Sequence, residues 1–147
     1  IARRQRQMCI RDRYHPLFIK PNKDELEEMF DVTIKSDQDV VKYGREIVKN
    51  GAQSVIISLG GDGAIYVDET RSIKAQNPKG EVVNTVGSGD STVAGMVAGL
   101  ELGLSLEEAF CQAVASGTAT AFNDDLALRE DIEKIKSQVT ISVLDGE

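Results

Sequence analysis

Histidine, cysteine and proline are scarce in this chain of 147 residues, which holds one His, two Cys and three Pro. His15 stands alone beside Pro16 and reads as a surface or structural residue, so it is assigned no role. Cys9 and Cys111 lie far apart and form no C-x-x-C pair, which makes a reduced, cytoplasmic setting the expectation. No apolar run approaches the roughly 20 residues needed to span a bilayer, and no secretory pattern is present, so a membrane is not an expected partner. Basic residues are outnumbered, 17 Lys and Arg against 24 Asp and Glu, for a net charge of −7. With no broad basic face, nucleic acid is excluded as a partner. Two glycine signatures are also missing. There is no G-x-x-x-x-G-K-[ST] phosphate loop, and no G-x-G-x-x-G follows the first strand, which argues against the dinucleotide-binding domain of an oxidoreductase.

What is present is one domain's worth of ordinary globular sequence, 41% apolar and 28% charged. Its organising stretch is 84–99, Asn-Thr-Val-Gly-Ser-Gly-Asp-Ser-Thr-Val-Ala-Gly-Met-Val-Ala-Gly. A strand over 81–86 runs into a turn at Gly87, Ser88 and Gly89, and an apolar helix follows directly. Such a junction aims backbone amides at an anion from the positive end of a helix. Asp90 sits where it can either cap that helix or take a proton from a hydroxyl while neighbouring amides stabilise transferred oxygens. Gly95, Gly99 and Gly103 recur every four residues along the helix, at roughly 1 kcal/mol each relative to alanine, which predicts very close packing on the sheet.

Upstream, residues 17–19 read as a short strand stopped by Lys20-Pro21, and 24–30 as a helix opened by the capping box Asn22-x-x-Glu25. Ser36 caps a helix over 37–50 with Val40, Gly44, Ile47 and Val48 on one face. The run 54–59 is a continuous apolar strand of the kind buried on both faces of a parallel sheet, completing a βαβ unit. It empties into Gly60-Gly61-Asp62-Gly63, which suits either a ligand crevice at a strand end or a tight hairpin turn into a strand at 65–67. A second short antiparallel strand is expected at 71–75. Farther on, Ser105-x-x-Glu108 caps a helix carrying Leu106, Ala109, Phe110, Ala113, Val114 and Gly117 at core spacing, with Cys111 as a buried, inert thiol. The small residues of 115–122 leave room for a flat ring or for a neighbouring helix. A helix over 131–139 and a strand over 140–144 close the chain.

The run Thr85-Val86-Gly87-Ser88-Gly89-Asp90-Ser91 with Ala94-Gly95 resembles the C-terminal signature of the ribokinase-like, or PfkB, sugar kinases, and within them the branch of 1-phosphofructokinase and tagatose-6-phosphate kinase. Lys20-Pro21-Asn22 before Glu25 is similar to the same branch, and residues 118–127 resemble its 1-phosphofructokinase side. The resemblance implies an α/β fold, the C-terminal portion of a three-layer αβα sandwich with a mostly parallel sheet. It implies Asp90 as catalytic base, Gly87, Ser88 and Gly89 as the anion hole, and ATP with Mg2+ as the donor. It further implies ATP contacts from Ser58, Leu59, Gly60, Gly61, Asp62, Gly63, Gly89 and Asp90, an adenine slot near Ser116 and Gly117, and a water-mediated link from Asn22 and Glu25 to the metal.

The acceptor it implies is a sugar phosphate, fructose 1-phosphate converted to the 1,6-bisphosphate, with tagatose 6-phosphate or another sugar as the alternative. A nucleotide-binding module without turnover is the non-enzymatic reading. A kinase of this family is about twice as long, so residues 14–147 are expected to be its C-terminal ATP-binding part, inactive without the N-terminal half. A homodimer is left open for the full-length protein. Residues 1–13, with five arginines, resemble translated sequencing-adaptor read-through and are set aside as foreign. Asn84 stands where many members carry an Asp linked to a monovalent cation, which puts potassium dependence in question.

Overall fold

The structure, a computed structural model, describes residues 18–76, 88–121 and 129–144. The expected strand at 81–86, Asn84, Gly87, the 1–13 segment and His15 lie outside these residues. Five strands, in the order β1 (Phe18–Ile19), β2 (Ser54–Ser58), β3 (Ala64–Asp68), β4 (Ser72–Gln76) and β5 (Thr140–Val143), form one sheet in chain order. Five α-helices accompany them among the described residues: α1 (Lys23–Phe30), α2 (Asp37–Lys49), α3 (Ser88–Glu101), α4 (Leu106–Ala121) and α5 (Arg129–Lys136). The chain divides into two compact units, whose described parts are 18–60, 64–74 and 143–144 in the first and 61–63, 75–76, 88–121 and 129–142 in the second.

In the first unit, β2 is the continuous apolar strand read from the sequence, and its residues Val55, Ile56 and Ile57 are fully buried. Its parallel partner is β1, with Phe18 opposite Ser54, and its antiparallel partner is β3, with Ser54 opposite Asp68 and Ser58 opposite Ala64. The helix α2 opens on Ser36, whose hydroxyl accepts from the amide of Asp39 at 3.3 Å. It lays Val40, Val41, Gly44 and Ile47 against the sheet. Gly44 lets the helix sit close, because a β carbon would stand 3.0 Å from Val67 Cγ2 and 3.3 Å from Ile57 Cδ1. The core so formed joins Leu26 and Met29 of α1 to Ile65 and Val67 of β3, with Ile19, Phe30, Tyr43 and Leu59 packed against it.

The second unit is built on a helix pair. The glycines of α3 pack on α4 rather than on the sheet, which corrects the sequence expectation. A β carbon at Gly95 would lie 3.0 Å from Ala113 Cα, and one at Gly99 would lie 3.0 Å from Ala109 Cα. Helix backbones approach this closely only where side chains are missing. Gly103 does not share that face. It lies past the end of α3 with φ +81° and open space around it, and the amide of Leu104 donates to the carbonyl of Gly99 at 3.1 Å, so it terminates the helix.

The helix α4 opens on Ser105, whose hydroxyl accepts from the amide of Glu108 at 3.2 Å. The last helix spans 129–136 rather than 131–139, and Ile135 packs on Ala115 and Ala119 of α4. Cys111 is half-buried rather than buried, and its thiol donates to the carbonyl of Lys136. Burial pushes that thiol's pKa up, against a smaller downward pull from Lys136, so the thiol stays protonated.

Candidate functional site

In the first unit, the end of β2 and the start of α1 are tied together. Asn22 forms a parallel bridge with Ser58, and the Ser58 amide donates to the carbonyl of Pro21 at 3.1 Å. Lys20-Pro21 therefore does more than stop β1: it delivers Asn22 beside the carboxyl end of β2. There Asn22 adopts extended backbone as the N-cap of α1, and its Oδ1 accepts from the Glu25 amide at 2.7 Å. The reciprocal bond differs from the expected capping box. Glu25 Oε1 accepts from the side-chain amide of Asn22 at 3.1 Å, so the two side chains lock each other.

Both residues are exposed, and together they offer a solvent-facing carboxylate and an amide already committed to the cap. Among the described residues, no group of three or more His, Cys, Asp or Glu could enclose a metal ion. One carboxylate suits a hydrated Mg2+, which keeps several waters and takes other ligands from phosphates. An all-protein cage would need more.

The loop leaving β2 is a short 3-10 helix, Gly60–Asp62. Ser58 is half-buried, and the Leu59 side chain is spent on the core. Gly60 has φ +63° with nothing within 4 Å of a built β carbon, so its backbone faces open space in a conformation suited to glycine. Asp62 is exposed. Gly63, in the second unit, has φ +95°, and a β carbon there would overlap the carbonyl of Ala75. Close approach of two chain segments accounts for that glycine.

In the second unit, Ser88, Gly89 and Asp90 form the first turn of α3, the end at which a helix presents its unsatisfied amides. Their side chains, like all of Gly87, lie outside the described residues. Ser116 is 6% exposed and its hydroxyl donates to the Gln112 carbonyl at 2.9 Å. It also stands 2.8 Å from where a β carbon of Gly95 would be, and Gly117 is buried beside it on α4. Contact between α3 and α4 therefore accounts for the small residue at 116. The sequence reading missed Gln112, whose side-chain amide donates to the Gly95 carbonyl at 3.1 Å. Nothing local marks it, since the two residues are seventeen apart.

The model of the pfkB family carbohydrate kinases matches residues 3–128, a range that begins inside the basic segment set aside above. The chain belongs to this family. Its fold is accordingly the α/β ribokinase-like one. The 1-phosphofructokinase of Bacillus subtilis (strain 168) is 44% identical over 129 residues, covering 88% of this chain and 43% of that protein. A D-tagatose-1-phosphate kinase of Bacillus licheniformis is 41% identical over 132 residues, covering 89% of this chain and 43% of the relative. A crystal structure of a candidate phosphofructokinase from Staphylococcus aureus superposes with a TM-score of 0.92 at 72% identity, covering 97% of this chain and 46% of that one. The chain thus spans less than half the length of these relatives. Among its described residues, no helix is long and apolar enough to cross a membrane.

Proposed function

We propose that this chain is the nucleotide-side part, residues 14–147, of an ATP-dependent sugar-phosphate kinase acting on fructose 1-phosphate. Family membership together with the position of Asp90 in the first turn of α3 carries this reading. In the reaction, Asp90 accepts the proton of the acceptor's 6-hydroxyl. That oxygen forms a bond to the γ-phosphorus of ATP, the bond to the bridging oxygen breaks, and ADP leaves with the electron pair.

Amides of Gly87, Ser88 and Gly89 hold the transferred phosphoryl oxygens, and the loop from Ser58 through Gly63 contacts the rest of the nucleotide. Mg2+ when bound neutralises phosphate charge, and Glu25, oriented by Asn22, reaches its water shell. The adenine slot near Ser116 and Gly117 is the weakest part of the set, since helix packing already employs Ser116. The 41% identical tagatose 1-phosphate kinase makes D-tagatose 1-phosphate the second acceptor to test.

The deciding experiment joins this chain to the N-terminal half of the kinase and assays ATP-dependent phosphorylation of both sugar phosphates. Asp90→Ala is expected to abolish turnover and leave ATP affinity within about threefold, as for loss of a group acting mainly in the transition state. Turnover surviving the substitution, or NAD binding in place of ATP binding, would end this reading.

A further inference from the structure

We infer that Gln112 is a positioning residue for phosphoryl transfer, acting through Gly95 to hold α3 at a fixed height on α4. This rests on the proposed role of the first turn of α3. Three observations meet at one point of the helix pair. The Gln112 side chain crosses from α4 and donates to the Gly95 carbonyl at 3.1 Å. Gly95 is buried, and a β carbon on it would stand 3.0 Å from Ala113 Cα and 2.8 Å from Ser116 Oγ. Ser116, in turn, is anchored by its hydroxyl to the Gln112 carbonyl at 2.9 Å. The Gln112 side-chain bond crosses between the helices, so α3 cannot slide on α4 without breaking it, while the Ser116 bond lies within α4 and fixes that hydroxyl beside Gly95.

The clamp lies close to the proposed chemistry. Asp90 precedes Gly95 by five residues on the same helix, about 7.5 Å along its axis at 1.5 Å per residue. Helices transmit such displacement almost rigidly, and a shift of about 1 Å at reacting groups can cost a hundredfold in rate. The glycine surface of α3 is smooth and by itself sets no height. A directional bond from a neighbouring side chain to a main-chain carbonyl supplies it. Gly99 supports close approach farther along, where a β carbon would stand 3.0 Å from Ala109 Cα, and its carbonyl accepts from the Leu104 amide at 3.1 Å. The clamp is therefore placed on the half of α3 that carries Asp90.

The test takes this chain joined to the N-terminal half of the kinase, as above, and titrates it with Mg-ATP and with Mg-ADP by calorimetry, alongside its unfolding transition. The α3 amides are proposed to meet the γ-phosphoryl group, so the parent chain should bind ATP more tightly than ADP. Gln112→Met keeps the side-chain volume and removes the donor. It should lower ATP affinity about fivefold to tenfold, the range spanned by one ordinary hydrogen bond, and leave ADP affinity within about twofold. Gln112→Asn, too short to reach the carbonyl, should show the same selective loss and guards against misfolding of the first variant. Retained preference for ATP in both folded variants, or equal loss for both nucleotides, overturns the positioning role. A parent protein that binds ATP and ADP equally instead overturns the proposed contact between the α3 amides and the γ-phosphoryl group on which it rests.

Discussion

The main chain at Gly63 passes so close to Ala75 that a β carbon on the glycine would overlap the Ala75 carbonyl oxygen. The same glycine holds φ +95°, where an L side chain is strained even in open space. Gly60, three residues earlier, has the left-handed φ of +63° without the crowding. The two glycines of one loop therefore make different demands. Gly60→Ala should cost about 1 kcal/mol, from backbone strain alone. Gly63→Ala adds an overlap with backbone that no rotamer can relieve, and should cost more than about 2 kcal/mol. Urea unfolding of both variants checks the order; equal midpoints would mean that the Ala75 segment moves aside freely.

That contrast also marks how far the sequence was legible. The apolar run of Val55, Ile56 and Ile57 identified a buried strand because it satisfies burial on both faces whatever covers it. Asn22, Ser36 and Ser105 identified helix starts because a cap is a contact over three residues. The glycines of α3 announced close packing but not the partner, since α4 supplies the opposing surface and only the tertiary fold brings it there. Gly63 was visible as a glycine, but the reason for it is twelve residues away at Ala75. Gln112 carries no local signal at all. Asp90, the residue on which the functional reading turns, was legible through its surrounding motif rather than through any contact.

Tyr66 is expected to make stability depend on pH at the alkaline end. Its hydroxyl donates to Asp68 Oδ2 at 3.1 Å, and the side chain is 6% exposed. Burial, then the Asp68 charge and the bond to it, push its pKa up to about 12 from an ordinary 10.0. Because the folded value lies above the unfolded one, this contribution is fully present below pH 10 and drains away as the pH rises toward 12. Tyr66→Phe should flatten stability over that window while lowering it at neutral pH by about 1 to 2 kcal/mol, for the lost hydrogen bonds of its hydroxyl to Asp68 and Ser54. Spectrophotometric titration of the phenols should show one tyrosine ionising near pH 12, absent in Tyr66→Phe; its ionisation near pH 10 would refute the burial argument.

Asn22 and Glu25 can be separated into a structural and a chemical share, because their mutual bond needs no charge. Asn22 caps α1 through its Oδ1 and donates to Glu25 through its amide nitrogen. Asn22→Ala removes both bonds and should lower stability by about 1 kcal/mol, the usual cost of a lost cap. Glu25→Gln preserves an oxygen acceptor for the Asn22 amide, so unfolding by urea should shift by less than about 0.5 kcal/mol. It removes the one negative charge at the carboxyl end of β2 that is proposed to reach the water shell of Mg2+. The Mg2+ concentration needed for half-maximal ATP binding should therefore rise several-fold in Glu25→Gln, with the affinity at saturating Mg2+ little changed. A Glu25→Gln chain with unaltered Mg2+ dependence would leave the pair as a helix cap alone, whereas a large loss of stability would show that the carboxylate charge is needed by α1 itself, through the positive end of the helix.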